Sequence, residues 1–153
     1  MGDGLRYSIE VYESFEETLK SVTADQPTSS FHFDDTELTF SRAVRSAIPV
    51  TFDHAGVYVI RDATGDVLYV GKAGSIRTDG SFKRQVIRGR LTAPRGATGN
   101  ADAYFAEVLE RFGPIDITAI GFGDCPAPAL IEAVLLQAFL DEFGRLPPLN
   151  NAF

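Results

Sequence analysis

The chain has little of what marks secreted or membrane-spanning proteins. Its 153 residues include one cysteine, Cys125, so no disulfide can form within the chain. The longest mostly apolar run, residues 126–140, is too short to span a bilayer and contains Glu132 and Gln137. The first residues are acidic and lack the basic and apolar segments of a secretion signal. We therefore expect a globular cytoplasmic protein without a membrane partner.

Basic residues are also scarce, since the net charge is -7. This balance argues against a general nucleic-acid binder, but the charge is segregated. Residues 1–50 hold nine acidic and four basic residues, a local charge of -5. Residues 77–95 hold one acidic and six basic residues, a local charge of +5. The six basic residues are Arg77, Lys83, Arg84, Arg88, Arg90 and Arg95.

The composition divides the chain into an acidic N-terminal extension, residues 1–50, and a main domain, residues 51–153. In the extension we expect a strand over residues 7–12. A helix follows over residues 14–22, with Ser14 and Glu17 forming a capping box. Apolar residues on both sides of an acidic turn predict a hairpin over residues 31–40.

A second hairpin is the most informative part of the main domain. Residues 56–60 and 68–74 are rich in β-branched and aromatic residues, and they flank the turn-forming residues 62–66. A two-residue turn at positions 64 and 65 would place residue 63 opposite residue 66.

That register pairs Ile60 with Tyr69 and Tyr58 with Gly71. Because side chains alternate along a strand, all four then share one face and the two phenols are diagonal neighbours. The glycine opposite Tyr58 leaves room for a ligand close to the backbone. An ordinary hairpin, in which tyrosine merely suits a strand, is the alternative.

Helices follow the hairpin, and one of them turns an arginine inward. A helix over residues 81–91 has an apolar side on which Arg90 lies between Val86 and Ile87, whereas Arg84 and Arg88 face away. Further patterns predict a helix ending near Phe112, a third strand over residues 116–123 and a helix over residues 127–143.

Glu132 is the one carboxylate in the apolar part of this last helix. A buried carboxylate is costly unless it is paired, protonated or bound to a metal, and no neighbour on the same helix is positively charged. Two interpretations stay open: a structural ion pair, with Arg90 as a candidate partner, or a functional group.

Taken together, these features resemble the GIY-YIG nuclease family over residues 55–151. The resemblance lies in two tripeptides, Gly56-Val57-Tyr58 and Tyr69-Val70-Gly71, then Lys72-Ala73, a helical Arg, a helical Glu and a terminal Pro-x-x-Asn. It implies an α+β fold with a small three-stranded antiparallel sheet flanked by helices. The chain departs from the family pattern in the insert at residues 75–80 and in having Pro94 where some members carry a histidine.

The resemblance implies a DNA endonuclease that hydrolyses phosphodiester bonds with one Mg²⁺ or Mn²⁺ ion. Glu132 would be the metal ligand, and Arg90 would bind the non-bridging oxygens, with Arg84 and Arg88 in reserve. Tyr58 would act as general base, with Lys72 and Arg90 favouring its phenolate. Tyr69 would bond the water or the phosphate.

The remaining roles are supporting ones. Asn150 is expected to tether the backbone, and Gly71 to lie beside the reacting groups without taking part. The residues expected to follow the DNA backbone are Arg77, Lys83, Arg84, Arg88 and Arg95. Targeting would depend on a homodimer or on a partner protein bound through the acidic extension.

Two alternatives to the nuclease remain. The chain would be a catalytically inactive module that binds nucleic acid or protein, or a structural subunit organised by a buried pair of Arg90 and Glu132.

Overall fold

The computed structural model describes residues 14–36, 39–95, 99–122 and 127–151. Its helices are α1 (Phe15–Val22), α2 (Phe40–Ala47), α3 (Ile87–Leu91), α4 (Ala101–Phe112) and α5 (Pro128–Phe143). Its strands are β1 (Thr28–Phe33), β2 (Ala55–Asp62), β3 (Val67–Ala73), β4 (Ser75–Ile76), β5 (Phe82–Lys83) and β6 (Ile115–Phe122). The strand predicted over residues 7–12 and Cys125 lie outside the described residues. Among the described helices, none is long and apolar enough to cross a membrane.

The fold is α+β, built on a four-stranded antiparallel sheet with the order β1-β6-β2-β3. The prediction of three strands was too low, because β1 pairs with β6 from Thr28–Ile120 to Phe33–Ile115. This strand precedes the boundary predicted at residue 50, yet it extends the sheet of the segment that follows. Strand β3 lies at the opposite edge of the sheet, and this edge carries the candidate site.

Each face of the sheet is covered by helices. On one face, α2, α3 and α4 pack around Phe40, Ile87 and Phe105, which are fully buried. On the other face, α1 and α5 pack around Val57, Val70 and other aliphatic residues of the sheet. Alternation along β2 and β3 therefore decides which side chains meet which helices.

The β2–β3 hairpin has the predicted pairs but not the predicted turn. Tyr58 lies opposite Gly71 and Ile60 opposite Tyr69, as the sequence indicates. The loop holds three residues, 63–65, because the Asp62 N–H bonds the Asp66 carbonyl oxygen at 2.9 Å and Arg61 pairs with residue 67.

A β-bulge restores the register after this longer loop. The pairing shifts between Ile60 and Arg61, so that Leu68 is the extra residue on β3. Leu68 and Tyr69 consequently face the same side, in the core covered by α2, α3 and α4. Without the bulge, the tyrosines would lie on opposite faces of the sheet.

Gly56, the first residue of the tripeptide on β2, is required by a close approach of the backbone. A Cβ atom there would lie 2.0 Å from the carbonyl oxygen of Ile120 on β6. Its φ of 154° is also in a region that side chains disfavour. The glycine therefore allows the central strands of the sheet to pair.

Two local predictions were wrong. The hairpin predicted over residues 31–40 is only half strand, because Thr39 caps helix α2, accepting a hydrogen bond from the Arg42 N–H. The helix predicted over residues 81–91 is only the short α3, because residues 75–83 form the small β4–β5 hairpin.

The other elements predicted within the described residues were confirmed. The Ser14 hydroxyl caps α1 by accepting from the Glu17 N–H at 3.1 Å, which is one of the two hydrogen bonds of the predicted capping box. The Asn100 side chain caps α4 by accepting from the Ala103 N–H at 2.7 Å. The third predicted strand is β6, and the apolar helix is α5, which ends at Gly144 in the left-handed conformation.

Candidate active site

The candidate site is a polar pocket of about 430 Å³ at the outer edge of β3. Tyr69 enters it from one side of the strand, whereas Glu132 enters from α5, which packs on the other face. The edge of the sheet is where groups from both faces can meet. The pocket is lined by Tyr69, Arg90, Pro94, Arg95, Tyr104, Glu132, Leu149, Asn150 and Asn151.

The two tyrosines of the paired tripeptides pack over Gly71. Their ring centroids are 5.8 Å apart. A Cβ atom on Gly71 would lie 2.4 Å from the Tyr58 ring and 2.5 Å from the Tyr69 ring. The expectation that Gly71 leaves room for a ligand is therefore wrong, since the tyrosine rings fill that space.

Tyr58 is the most buried member of the predicted catalytic set. Its side chain has 0% exposure, and Arg95 donates a hydrogen bond from Nη2 to its hydroxyl oxygen at 2.7 Å. Burial raises the pKa of Tyr58 to about 12, although the Arg95 charge opposes this effect. The predicted role of Tyr58 as a phenolate base is corrected accordingly: the neutral phenol is favoured at physiological pH, and the hydroxyl does not line the pocket.

The prediction that Arg95 contacts the DNA backbone is also corrected. We expected it to follow a DNA backbone in solvent, but it is 9% exposed and surrounded by aromatic rings. Its guanidinium carbon lies 5.3–5.8 Å from the ring centroids of Tyr58, Tyr69, Tyr104 and Phe105. Arg95 therefore belongs to the inner wall of the pocket.

Arg90 and Glu132 share the pocket, as expected for the two central groups. In the part of the chain that the structure describes, Glu132 belongs to none of the ion pairs within 4.0 Å. The structural ion pair with Arg90 is therefore not formed. Burial raises the pKa of Glu132, while the nearby charges of Lys72 and Arg90 oppose that rise.

Lys72 is half-buried on the α5 side of β3, opposite to Tyr69. Its Nζ donates to the carbonyl oxygen of Gly74 at 3.4 Å. Its charge acts on Glu132, but it is not among the groups that act on Tyr58. The expectation that Lys72 favours a Tyr58 phenolate is thus not supported by the arrangement.

Asn150 joins the C-terminal tail to the edge of the sheet. Its side-chain oxygen accepts from the Val70 N–H at 3.0 Å, and its amide nitrogen donates to the Val70 carbonyl oxygen at 2.9 Å. The Leu149 N–H also donates to the carbonyl oxygen of Leu68, the bulge residue, at 2.9 Å. The tail therefore occupies the outer edge of β3 and forms one wall of the pocket, consistent with the predicted tether.

The other basic residues lie away from the pocket. Arg77 and Lys83 are exposed on the β4–β5 hairpin. Arg84 is exposed and pairs with Asp53. Arg88 donates from Nε to the Ile48 carbonyl oxygen at 3.0 Å. Of the three candidate arginines, only Arg90 lines the pocket.

Tyr104 was missed at the sequence level. It lies on α4, half-buried, with its ring against Arg95 and in the pocket wall. Its neighbour Phe105 is fully buried, so the apolar pattern of the helix gave Tyr104 no separate signal.

The donor set fits a hard divalent cation held by few protein ligands. Within the described ranges, no group of three or more His, Cys, Asp or Glu side chains could hold a metal ion. Mg²⁺ nevertheless often binds through one carboxylate plus water and substrate phosphates. Glu132, a half-buried carboxylate in a polar pocket, satisfies that requirement.

Comparisons of the chain with protein-family models, with curated proteins and with solved structures gave no match.

Proposed function

We propose that the protein is a metal-dependent endonuclease that hydrolyses phosphodiester bonds in DNA, with a domain like that of the GIY-YIG nucleases. The observation that carries this proposal is the placement of Glu132. This half-buried carboxylate forms no ion pair with any residue that the structure describes, and it shares a pocket with Arg90 and with the tyrosine of the second tripeptide. A carboxylate in that situation is costly for folding, which is typical of functional groups.

The charge of the pocket supports a phosphate ligand. Two arginines and one glutamate line it, and the charge of Lys72 also reaches the carboxylate. In this proposal Arg90 binds the non-bridging oxygens of the phosphate through its planar fork of N–H donors. Lys72 adds positive charge beside Glu132, where negative charge would accumulate.

Tyr69, rather than Tyr58, is the phenol we assign to the substrate. Tyr69 lines the pocket, whereas the Tyr58 hydroxyl is enclosed and bonded to Arg95. Tyr69 would hydrogen-bond the attacking water or the phosphate and orient it for in-line attack. Tyr58 would act behind it, through contact with the Tyr69 ring.

Glu132 is the residue that would hold Mg²⁺ or Mn²⁺. When bound, such an ion would stabilise the charge that develops on the phosphate oxygens and activate a water molecule. The carboxylate must be ionised for this, so its raised pKa predicts weaker metal binding as the pH falls.

Cleavage of supercoiled plasmid with Mg²⁺ or Mn²⁺ tests the proposal. We expect metal-dependent nicking by the native chain, and a loss of about 10²-fold or more in Glu132→Gln. Asp141→Asn is the matched control, because it removes the same charge from an exposed position on the same helix. It should cleave at nearly the native rate.

Metal binding measured by calorimetry provides a second test. The native chain and Asp141→Asn should bind Mn²⁺ in the presence of a short DNA, and Glu132→Gln should not. Nicking that survives in Glu132→Gln would contradict the assigned site. Folded native protein that binds DNA but cleaves no form of it would support the inactive binding module.

A further inference from the structure

Arg95 is buried, although the sequence around it has no helix or strand pattern that would predict its burial. It follows Pro94 in the coil after α3, and its side chain enters the aromatic cluster between the sheet and α4. Four rings lie within 5.3–5.8 Å of its guanidinium carbon. Its Nη2 donates to the Tyr58 hydroxyl at 2.7 Å.

This environment keeps the guanidinium charged. Burial alone lowers the pKa of Arg95, but the hydroxyls of Tyr58 and Tyr69 outweigh burial and raise it. The faces of aromatic rings add a further favourable interaction with a cation. Arg95 is therefore a fixed positive charge within the cluster.

The same guanidinium connects a buried ring to two rings of the pocket. Tyr58 is fully enclosed, whereas Tyr69 and Tyr104 line the cavity. A planar group that lies among these rings and bonds the Tyr58 hydroxyl restricts how each ring can tilt. The position of Tyr69 thus depends on Arg95 as well as on the backbone of β3.

We propose that Arg95 is a positioning residue of the site: it fixes the Tyr69 and Tyr104 rings in the pocket wall and so sets where a phosphodiester lies relative to Arg90. This role rests on the proposed nuclease function, but the placement of the rings does not. Tyr58 serves as the anchor, because its hydroxyl holds the guanidinium in place.

Steady-state cleavage by Arg95→Ala and Arg95→Lys, with and without ethylguanidinium, tests the catalytic part. We expect kcat to fall about 10²-fold in Arg95→Ala with little change in KM, since misplaced groups reduce the rate more than binding. Ethylguanidinium should restore part of kcat in Arg95→Ala. Lysine should not replace arginine, because an ammonium group cannot lie flat between rings.

Arg61→Ala is the matched control. It removes a partly buried arginine on β2 that stacks over the Phe15 ring and bonds Glu16 on the other face of the sheet, outside the pocket. It should keep the native kcat. A folded Arg95→Ala variant with native kcat, or with a raised KM alone, would overturn the positioning role.

The ring placement is tested without any activity, by NMR of protein labelled with ¹³C at tyrosine. In Arg95→Ala the ring signals of Tyr69 and Tyr104 should shift and become broader, and ethylguanidinium should move them back. Arg61→Ala should leave them unchanged. If the native chain cleaves nothing, the proposed function fails while these spectra still decide the role of Arg95, and unshifted ring signals would reject it.

Discussion

At the scale of single residues, side-chain packing rather than backbone conformation requires a glycine at position 71. The Tyr58 and Tyr69 rings occupy the space that a side chain would need. We expect Gly71→Ala to destabilise the protein by about 1–3 kcal/mol, because the added methyl must displace one ring. Urea unfolding measures this change.

Gly89→Ala is the control for that substitution. Gly89 lies within α3, and an added Cβ would meet only a Val86 methyl at 3.7 Å. Alanine is favoured in a helix, so this variant should gain about 0.5–1 kcal/mol. A Gly71→Ala variant as stable as the native chain would show that the rings over Gly71 give way without cost.

At Glu132 we expect stability and function to conflict, because the carboxylate needed for activity lowers the stability of the fold. Its pKa is raised on folding by burial, so the folded state favours the protonated form. The carboxyl group therefore costs stability at pH values above the folded pKa, and this cost disappears as the pH falls below the unfolded pKa. At neutral pH, Glu132→Gln should be slightly more stable than the native chain while losing activity, by no more than about 1 kcal/mol, because water screens this half-exposed group.

The measurement is the free energy of unfolding against pH for the native chain, Glu132→Gln and Asp141→Asn. The gain in Glu132→Gln should shrink as the pH falls, and Asp141→Asn should stay within about 0.5 kcal/mol of native. A glutamine variant less stable than native at pH 7 would mean that Glu132 has a stabilising partner.

At the scale of elements, the C-terminal tail replaces a neighbouring strand for β3. The Asn150 side chain accepts one hydrogen bond and donates another, and the Leu149 N–H donates a third, so that this part of the edge is paired. Asn150→Ala should cost about 1–3 kcal/mol, because the Val70 backbone groups lose their partners. Hydrogen exchange at the Val70 amide should become faster in this variant. Unchanged protection of that amide would contradict the prediction.

The elements also show what the sequence could and could not predict. The pairs between β2 and β3 were predicted from a two-residue turn, and the structure has these pairs but not that turn. The three-residue loop and the bulge at Leu68 compensate each other, and no local pattern distinguishes this solution from a two-residue turn. Helix α2 was missed because Thr39 directs the chain into a helix immediately after an acidic turn that equally suits a hairpin.

Some residues of the candidate site could be predicted from the sequence, and others could not. Glu132 and Arg90 could be predicted, because polar groups on apolar helix faces are conspicuous. The link between Arg95 and Tyr58 joins positions 37 residues apart through a coil segment. Coil has no periodicity, so only the folded chain brings this arginine to the tyrosines.

At the scale of the whole molecule, the charge segregation leads to a prediction about DNA binding. The chain carries a net charge of -7, yet Arg77 and Lys83 are exposed on the β4–β5 hairpin. This hairpin follows Lys72 directly along the chain, and the Lys72 ammonium bonds the Gly74 carbonyl oxygen at its base. We infer that the hairpin contacts DNA phosphates outside the pocket, an inference that rests on the proposed function.

Anisotropy of a short labelled duplex in EDTA, over a range of salt concentrations, tests this inference. The slope of log K against log salt is negative for DNA binding. If Arg77 and Lys83 each contact one phosphate, the double variant Arg77→Gln/Lys83→Gln should make this slope less steep by about 1.8. Lys20→Gln/Arg111→Gln removes the same charge from exposed positions on α1 and α4. Since these two positions lie outside the hairpin, the control double variant should weaken binding through net charge alone and keep the native slope. Equal slopes in both double variants would mean that the hairpin makes no contact and that the DNA responds only to the overall charge.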